Sequence, residues 1–227
     1  MVDKDVILFL GPSDSPLLDW LKNQGETIIQ TSETIESSFI GKNNITFLIS
    51  YGYRYILSNE VLGKMKLTRS KRRGKFYNNA INLHISYLPW NRGADPNFWS
   101  FIDNTPKGVT IHYLDEGIDT GDIIVQKEIT LDTNNGTLAT TYKTLQLGIQ
   151  ELFKQNRINI KNGKNLRKKQ MGKGSFHKIK DKEIFSQLLS KGWDTPVLVL
   201  KHIAERQISV ASDQAQTLNN IYFLTKK

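Results

Sequence analysis

The sequence contains no cysteine. Disulfide bonds, thiolate metal sites and a cysteine nucleophile are therefore excluded, and nothing in the composition points to an oxidising compartment. Long hydrophobic runs are lacking too. The apolar part of the opening segment MVDKDVILFLG is too short for the core of a signal peptide and far too short to span a bilayer. We therefore expect a cytoplasmic protein with no membrane partner.

Two kinds of ligand site have little support in the sequence. The loop after the first apolar run reads GPSDSP, which lacks the glycine spacing of a dinucleotide-binding turn, so a nicotinamide or flavin is not expected there. Histidines and carboxylates do not recur at the spacing of metal ligands, so no metal site is predicted.

Positive charge, by contrast, is abundant. The chain has 227 residues, with 31 Lys or Arg against 22 Asp or Glu and a formal net charge of +9. Much of the excess lies in two runs, KLTRSKRRGK from Lys66 to Lys75 and KNGKNLRKKQMGK from Lys161 to Lys173. These runs are either solvated loops or a surface for nucleic acid, membrane headgroups or small anionic ligands. Aromatic residues do not interleave with the charges, so the stacking platform of a single-strand binder is missing.

Candidate strands and helices alternate through most of the chain. We predict strands at DVILFLG, ETIIQT, ITFLIS, AINLHIS, GVTIHYL and DIIVQKEITL, and helices at SPLLDWLKNQG, SNEVLGKM, DPNFWSFIDN and TLATTYKTLQLGIQELFKQN. Ser15 and Asp95 are the predicted N-caps of two of these helices. The alternation predicts an α/β fold with a Rossmann-like, mostly parallel sheet covered by helices on both faces.

The composition of the sequence changes in the last part of the chain. Basic sequence leads to KDKEIFSQLLSKGW, a predicted helix capped by Asp181, and then to a final short strand, IYFLT. Residues 161–227 are too few for a core of their own. We therefore expect them to form a small C-terminal α/β subdomain packed on a larger domain, residues 1–160.

The segment INLHISYLPWNRG, residues 81–93, combines apolar and polar side chains in alternation. If it begins as a strand, Ile81 and Leu83 point into a core, while Asn82 and His84 share the opposite face. On the pattern alone, that polar face is either solvated or functional.

A second segment, GVTIHYLDEGIDTGDII, places acidic residues and glycines between two apolar runs. A loop there must turn sharply, and its carboxylates then point away from the edge of the sheet. A plain acidic turn would give the same pattern. His112 alternates with apolar residues and is interpreted as a packed or surface side chain, not as a participant in chemistry.

Together, the two segments resemble the Asn-x-His, Leu-Pro-x-x-Arg-Gly and Asp-x-Gly pattern of the 10-formyltetrahydrofolate-dependent formyltransferases. This superfamily has glycinamide ribonucleotide, methionyl-tRNA and nucleotide-sugar members. The resemblance is strongest over residues 45–128 and implies a formyltransferase catalytic domain over residues 1–160. It assigns a catalytic triad of Asn82, His84 and Asp119, with 10-formyltetrahydrofolate as co-substrate and no metal.

The chemistry of formyl transfer suits this triad. A neutral amine attacks the formyl carbon, the resulting oxyanion needs a hydrogen-bond donor, and the departing N10 nitrogen of the folate needs a proton. Asn82 can donate its amide N–H to the oxyanion, and His84 can act as a base or as a second donor. Asp119 can orient the imidazole or hold a proton-relaying water.

Candidate contact residues can be named for both ligands, those for the folate from the resemblance and those for the acceptor from their position and charge. Those for the folate contact it largely through backbone groups and lie in two loops: Arg54, Tyr55, Ile56, Leu57, Asp115, Glu116, Gly117 and Ile118. Those for the acceptor are Ser86, Lys75, Arg92 and His177. For Arg92, contact with a substrate phosphate and support of its own loop are equally open.

The acceptor is expected to be a sugar. The segments WNRGADPNFWSF and QMGKGSFHKIKDKEIFSQLLSKGWD look like those of bacterial sugar N-formyltransferases. Methionyl-tRNA members carry a sizeable β-barrel domain after the catalytic one, and the residues after 160 are too few for it. We therefore expect a nucleotide-linked amino-dideoxysugar, dTDP-4-amino-4,6-dideoxyglucose first, for O-antigen and lipopolysaccharide synthesis.

The sequence is also compatible with other functions. One alternative is a glycinamide ribonucleotide or other small-amine formyltransferase. An alternative of another class is a catalytically silent protein that binds folate or a nucleotide. Nucleic acid is not an expected partner, and a homodimer is left open.

Overall fold

A computed structural model of the chain describes residues 5–66 and 79–204. The strands are β1 (Val6–Leu10), β2 (Thr27–Thr31), β3 (Phe47–Ser50), β4 (Ala80–His84), β5 (Arg92–Gly93), β6 (Gly108–Tyr113), β7 (Ile123–Glu128) and β8 (Phe176–His177). The α-helices are α1 (Pro16–Asn23), α2 (Ser37–Lys42), α3 (Asn59–Lys66), α4 (Pro96–Ile102) and α5 (Leu138–Lys161). Among the helices of the described ranges, none combines the length and the apolar composition needed to cross a bilayer.

Six of these strands form the central sheet, in the order β2-β1-β3-β4-β6-β7. The first four positions run parallel, and β6 and β7 continue the sheet in antiparallel pairs. The expected mostly parallel α/β sheet is therefore confirmed. The inner strand β1 reads as a continuous apolar run because both of its faces are buried.

Helices cover the sheet on both sides. On one face, α1 and α5 bury a cluster that includes Phe9 and Ile149. On the other, α2 and α3 bury a cluster that includes Leu8 and Met65. The neighbours Leu8 and Phe9 belong to different clusters because successive side chains of a strand point to opposite faces.

The helix starts differ in part from the predictions. Ser15 and Asp95 stand at the N-cap positions of α1 and α4, but neither side chain makes a capping hydrogen bond. Asp181 is not an N-cap: Lys178 holds that position in a 3-10 helix, Ile179–Leu189, and Asp181 accepts the Lys178 backbone N–H at 2.7 Å. The α-helix expected there is thus a tighter 3-10 helix, and α2 had no predicted counterpart.

The C-terminal part packs against α4 and α5. Phe185, Val197 and Leu200 join Phe98 and Leu138 in a third buried cluster. β8 pairs in parallel with β5, outside the central sheet. This part of the chain therefore shares a core with α4 and α5. The predicted strand IYFLT lies outside the described residues.

Candidate active site

The polar face of β4 holds two of the predicted catalytic side chains. Ile81 and Leu83 enter the cluster under α1 and α5, as the alternation predicted. Asn82 and His84 therefore point to the opposite face, where His84 is buried and Asn82 is half-buried. The strand thus carries both side chains to one site near its carboxyl end.

Asp119 reaches the same site from the loop between β6 and β7. Its Oδ1 accepts the Asn82 amide at 3.0 Å, and its Oδ2 accepts the Gly93 backbone N–H at 2.8 Å. The same Oδ2 lies 3.8 Å from Nδ1 of His84. The structure therefore brings Asn82, His84 and Asp119 together, although 35 residues separate the last two in the chain.

His112 is a fourth member of this cluster. It is packed, which was one of the two alternatives for it, but its contacts place it beside the candidate site, where no part was expected for it. It stands opposite Asn82 in the antiparallel pairing of β4 with β6. Its Nε2 lies 3.2 Å from Nδ2 of Asn82 and 3.4 Å from Oδ1 of Asp119. The alternation of Val109 and Ile111 into the core did place His112 on the other face, but only the strand register set it against Asn82.

Hydrogen-bond partners fix the orientation of these groups. A carboxylate only accepts, so the Asn82 amide must turn Nδ2 toward Asp119. His112 Nδ1 lies 2.9 Å from the Tyr113 carbonyl, which also only accepts, so Nδ1 carries the hydrogen and Nε2 can accept the second Asn82 N–H. Both amide hydrogens of Asn82 are therefore engaged, and donation to an oxyanion requires that one of them exchange its partner.

His84 is oriented in the same way. Its Nε2 lies 3.2 Å from the Asn91 carbonyl, so Nε2 carries a hydrogen and Nδ1 faces Asp119. Asn91 is itself held by the C-terminal part, because its backbone N–H donates to Ser175 Oγ at 2.9 Å. The nitrogen of His84 that is free to take a proton is therefore Nδ1.

Burial and charge set the protonation states. Burial lowers the pKa of His84, and the Asp119 carboxylate opposes this shift without cancelling it. Burial acts to raise the pKa of Asp119, but His84, His112 and the Gly93 N–H outweigh it and hold that pKa well below its ordinary value. His84 is therefore a neutral imidazole at neutral pH, and the hydrogen bonds that Asp119 accepts from Asn82 and Gly93 favour its carboxylate form.

The residues predicted to bind the acceptor take different places. Ser86 is buried and its hydroxyl donates to the Trp90 carbonyl. Arg92 donates to the side chain of Gln170, which favours the loop-supporting interpretation of this arginine. His177 stacks on Trp99, with 3.8 Å between ring centroids, and its Nε2 lies 2.7 Å from Asp103 Oδ2. Lys75 lies outside the described residues.

The loops predicted to hold the folate flank the cluster. The first follows β3, whose last residue, Ser50, pairs with Asn82. Leu57 from this loop and Leu114 from the second pack on the same hydrophobic cluster beneath α2 and α3. The predicted contact residues themselves are mostly open to solvent, with the following ones exposed: Arg54, Tyr55, Ile56, Glu116, Gly117 and Ile118. Both loops therefore reach the side of the sheet that carries Asn82 and His84.

The arrangement suits proton transfer and the stabilisation of developing charge. His84 offers a neutral base, and Asp119 stabilises the imidazolium that forms when Nδ1 takes a proton. Within residues 5–66 and 79–204, no group of three or more His, Asp or Glu side chains is arranged to hold a metal ion. An amide donor, a neutral base and a carboxylate are groups that acyl transfer to an amine can use.

Comparison with known proteins finds formyltransferases. The sequence pattern of the formyl transferase family matches residues 43–154. The chain is also 31% identical over 148 residues to a methionyl-tRNA formyltransferase of Clostridioides difficile (strain 630), an alignment that covers 63% of this chain and 44% of that protein. The chain therefore spans less than half the length of this curated relative.

Solved structures extend the comparison over most of the chain. The formyltransferase PseJ from Anoxybacillus kamchatkensis, in complex with UDP-4,6-dideoxy-4-formamido-L-AltNAc and tetrahydrofolate, is 46% identical, with a TM-score of 0.78. The match covers 88% of this chain and 99% of that one. A 4-N formyltransferase from Francisella tularensis has the same fold, with 22% identity, a TM-score of 0.67 and coverage of 88% and 87%.

Proposed function

We propose, from the premise that this chain belongs to the formyltransferase family, that it moves a formyl group from 10-formyltetrahydrofolate to the amine of a nucleotide-linked amino sugar. The observation that carries the proposal is the buried cluster of Asn82, His84 and Asp119, in which His84 Nδ1 faces a carboxylate across 3.8 Å. Such a nitrogen can take one proton from an attacking amine without leaving an uncompensated charge in a buried site.

The reaction has two steps, the addition of the amine and the departure of N10. The amine nitrogen bonds to the formyl carbon while the carbonyl electron pair moves to oxygen, and His84 Nδ1 takes the proton that the amine loses. When the oxygen pair returns, the bond between the carbon and N10 breaks, and N10 leaves with a proton supplied by His84. An N–H of Asn82, exchanged from one of its present partners, stabilises the oxyanion.

We place the folate between the loop after β3 and the loop after β6. Their exposed residues Tyr55, Ile56 and Ile118 offer apolar surface, and the backbone of both loops offers hydrogen-bonding groups for a pterin ring. The co-substrate itself supplies the formyl group. This placement is supported by the packing of both loops on one hydrophobic cluster on the side of Asn82 and His84.

For the acceptor, a 4-amino sugar linked to UDP is the first candidate. PseJ carries such a sugar in its formylated form, and its likeness to this chain extends over 99% of its length. The 4-amino precursor of that compound is therefore the substrate that we propose. The dTDP-4-amino-4,6-dideoxyglucose expected from the sequence, and a role in O-antigen synthesis, stay predictions.

The test is a direct assay of formyl transfer. Full-length protein is incubated with 10-formyltetrahydrofolate and, in separate reactions, the UDP-linked and dTDP-linked 4-amino sugars, glycinamide ribonucleotide and methionyl-tRNA. We expect the UDP-linked sugar to gain one formyl group by mass spectrometry, at the highest kcat/KM of the set. Formylation of methionyl-tRNA alone would overturn the choice of acceptor, and no formylation of any amine would overturn the activity.

A further inference from the structure

We infer that Gln170, held by Arg92, is a positioning residue that fixes Asp119 against His84. The inference rests on the proposed formyl transfer and adds to it a residue outside the triad. Gln170 lies in the C-terminal part of the chain, 51 residues after Asp119. It connects that part to the backbone of the residue that bears the candidate catalytic carboxylate.

Both ends of the Gln170 side chain are engaged. Its Nε2 donates to the Asp119 carbonyl at 2.7 Å and to the Gly121 carbonyl at 2.9 Å. Its Oε1 accepts from Arg92 Nε at 3.1 Å and Arg92 Nη2 at 2.8 Å. Carbonyls only accept and a guanidinium only donates, so the amide has one satisfied orientation. Gln170 is therefore locked between the arginine and the Asp119 loop.

The loop needs such support because of its backbone conformation. Asp119 has φ +54°, in the left-handed region that a residue other than glycine seldom adopts. A strained residue persists only where its surroundings over-determine it. By binding the carbonyls on both sides of Thr120, Gln170 holds the segment in which the carboxylate reaches Asn82 and His84.

The strand that contains Arg92 also holds the Asp119 carboxylate directly, through its next residue. The next residue, Gly93, donates its backbone N–H to Asp119 Oδ2 at 2.8 Å. Arg92 and Gly93 form β5, which is paired with β8. One short strand thus fixes the carboxylate through a backbone amide and the Asp119 backbone through Gln170.

The decisive variant is Gln170→Glu, which keeps the shape and the acceptor for Arg92 but replaces the N–H donors with an oxygen facing two carbonyls. Loss of placement should lower kcat by about 10²-fold with KM for both substrates nearly unchanged, since misplacement of a reacting group by about 1 Å has that effect. The acid limb of the kcat profile should move to lower pH, because the Asp119 charge raises the pKa of His84 and no longer would. Gln155→Glu, the same change at an exposed position of α5, is the matched control.

A second variant and a second readout keep the test independent of folding and of the proposed function. Arg92→Lys should give a smaller loss of kcat, and the double variant should lose no more than Gln170→Glu, because both act through one contact chain. NMR titration of the His84 ring should show a lower pKa in Gln170→Glu, whether or not the protein formylates a sugar. The inference would be overturned if Gln170→Glu had the same kcat, pH profile and His84 titration as an active wild type. An inactive wild type would instead overturn the proposed function.

Discussion

Nδ1 of His84 lies 3.8 Å from Oδ2 of Asp119, too far for a hydrogen bond but within range of a strong charge interaction in a buried site. The pair therefore gains most of its interaction when the imidazole takes a proton. A base that is neutral at rest and stabilised once charged is what attack by an amine requires.

Removing either member of this pair should remove most of the activity. We expect His84→Asn or Asp119→Asn to lower kcat by about 10²–10⁴-fold while folate binding changes little. Steady-state kinetics and folate titration calorimetry measure the two effects. Near wild-type rates in both variants would mean that neither side chain takes part in proton transfer.

The free energy of unfolding should decrease as the pH is lowered, and His84 should contribute to this decrease. Its pKa is lowered by burial, so below about pH 6.5 the unfolded chain takes up a proton that the folded protein resists. The unfolded state then binds more protons, and the free energy of unfolding falls as pH falls, by at most about 1.4 kcal/mol per pH unit from this group. Denaturant titrations between pH 7 and 5 should show this slope in the wild type and a shallower one in His84→Asn. Equal slopes in the two proteins would contradict the assignment.

His112 should matter through Asn82. We expect His112→Ala to lower kcat by about tenfold, because Asn82 loses one of the partners that hold its amide, and to cost about 1–3 kcal/mol because the Tyr113 carbonyl is left without its donor. Kinetics and thermal unfolding test the two parts separately. An unchanged kcat in a destabilised variant would limit His112 to a structural role.

Gly93 and Gly172 form a matched pair that tests whether the close contacts around Gly93 exclude a side chain. Both have positive φ, +87° and +85°, so alanine strains the backbone at either position. A Cβ at Gly93 would also meet the Phe176 ring at 2.9 Å and the His177 carbonyl, whereas a Cβ at Gly172 would meet nothing within 4 Å. We expect Gly93→Ala to lose stability and, by moving the N–H that binds Asp119, activity. Gly172→Ala should lose only stability, and equal activity of the two variants would contradict this account.

Tyr51 should titrate abnormally. Burial raises the pKa of its phenol to about 12, against a smaller lowering effect of Gln150, whose amide donates to the hydroxyl at 3.0 Å. Since the pKa in the folded state exceeds that of the unfolded chain, this contribution to stability is present below about pH 10 and is lost as the pH rises toward 12. Phenolate absorbance should therefore show a late transition toward pH 12 that Tyr51→Phe removes. Tyr55→Phe, at an exposed tyrosine, should leave that late transition in place.

The sequence by itself determined most of the local elements and the two faces of β4. Strand-like apolar runs and helical spacing placed the elements because burial and propensity act over a few neighbouring residues. The alternation in β4 put Asn82 and His84 on one face before any tertiary contact was known, since side chains of a strand follow a period of two. The motif around Asp119 added the third predicted catalytic residue through family resemblance.

Only the tertiary structure decided what meets these residues. The register of β4 with β6 set His112 opposite Asn82, and the return of the C-terminal part brought Gln170 to the Asp119 loop. Neither contact has a local signature, because strand register and the path of a distant segment depend on packing summed over the whole fold. The 3-10 geometry of Ile179–Leu189 was missed for the same reason, since its sequence also reads as an α-helix and its docking on α4 and α5 is a long-range contact.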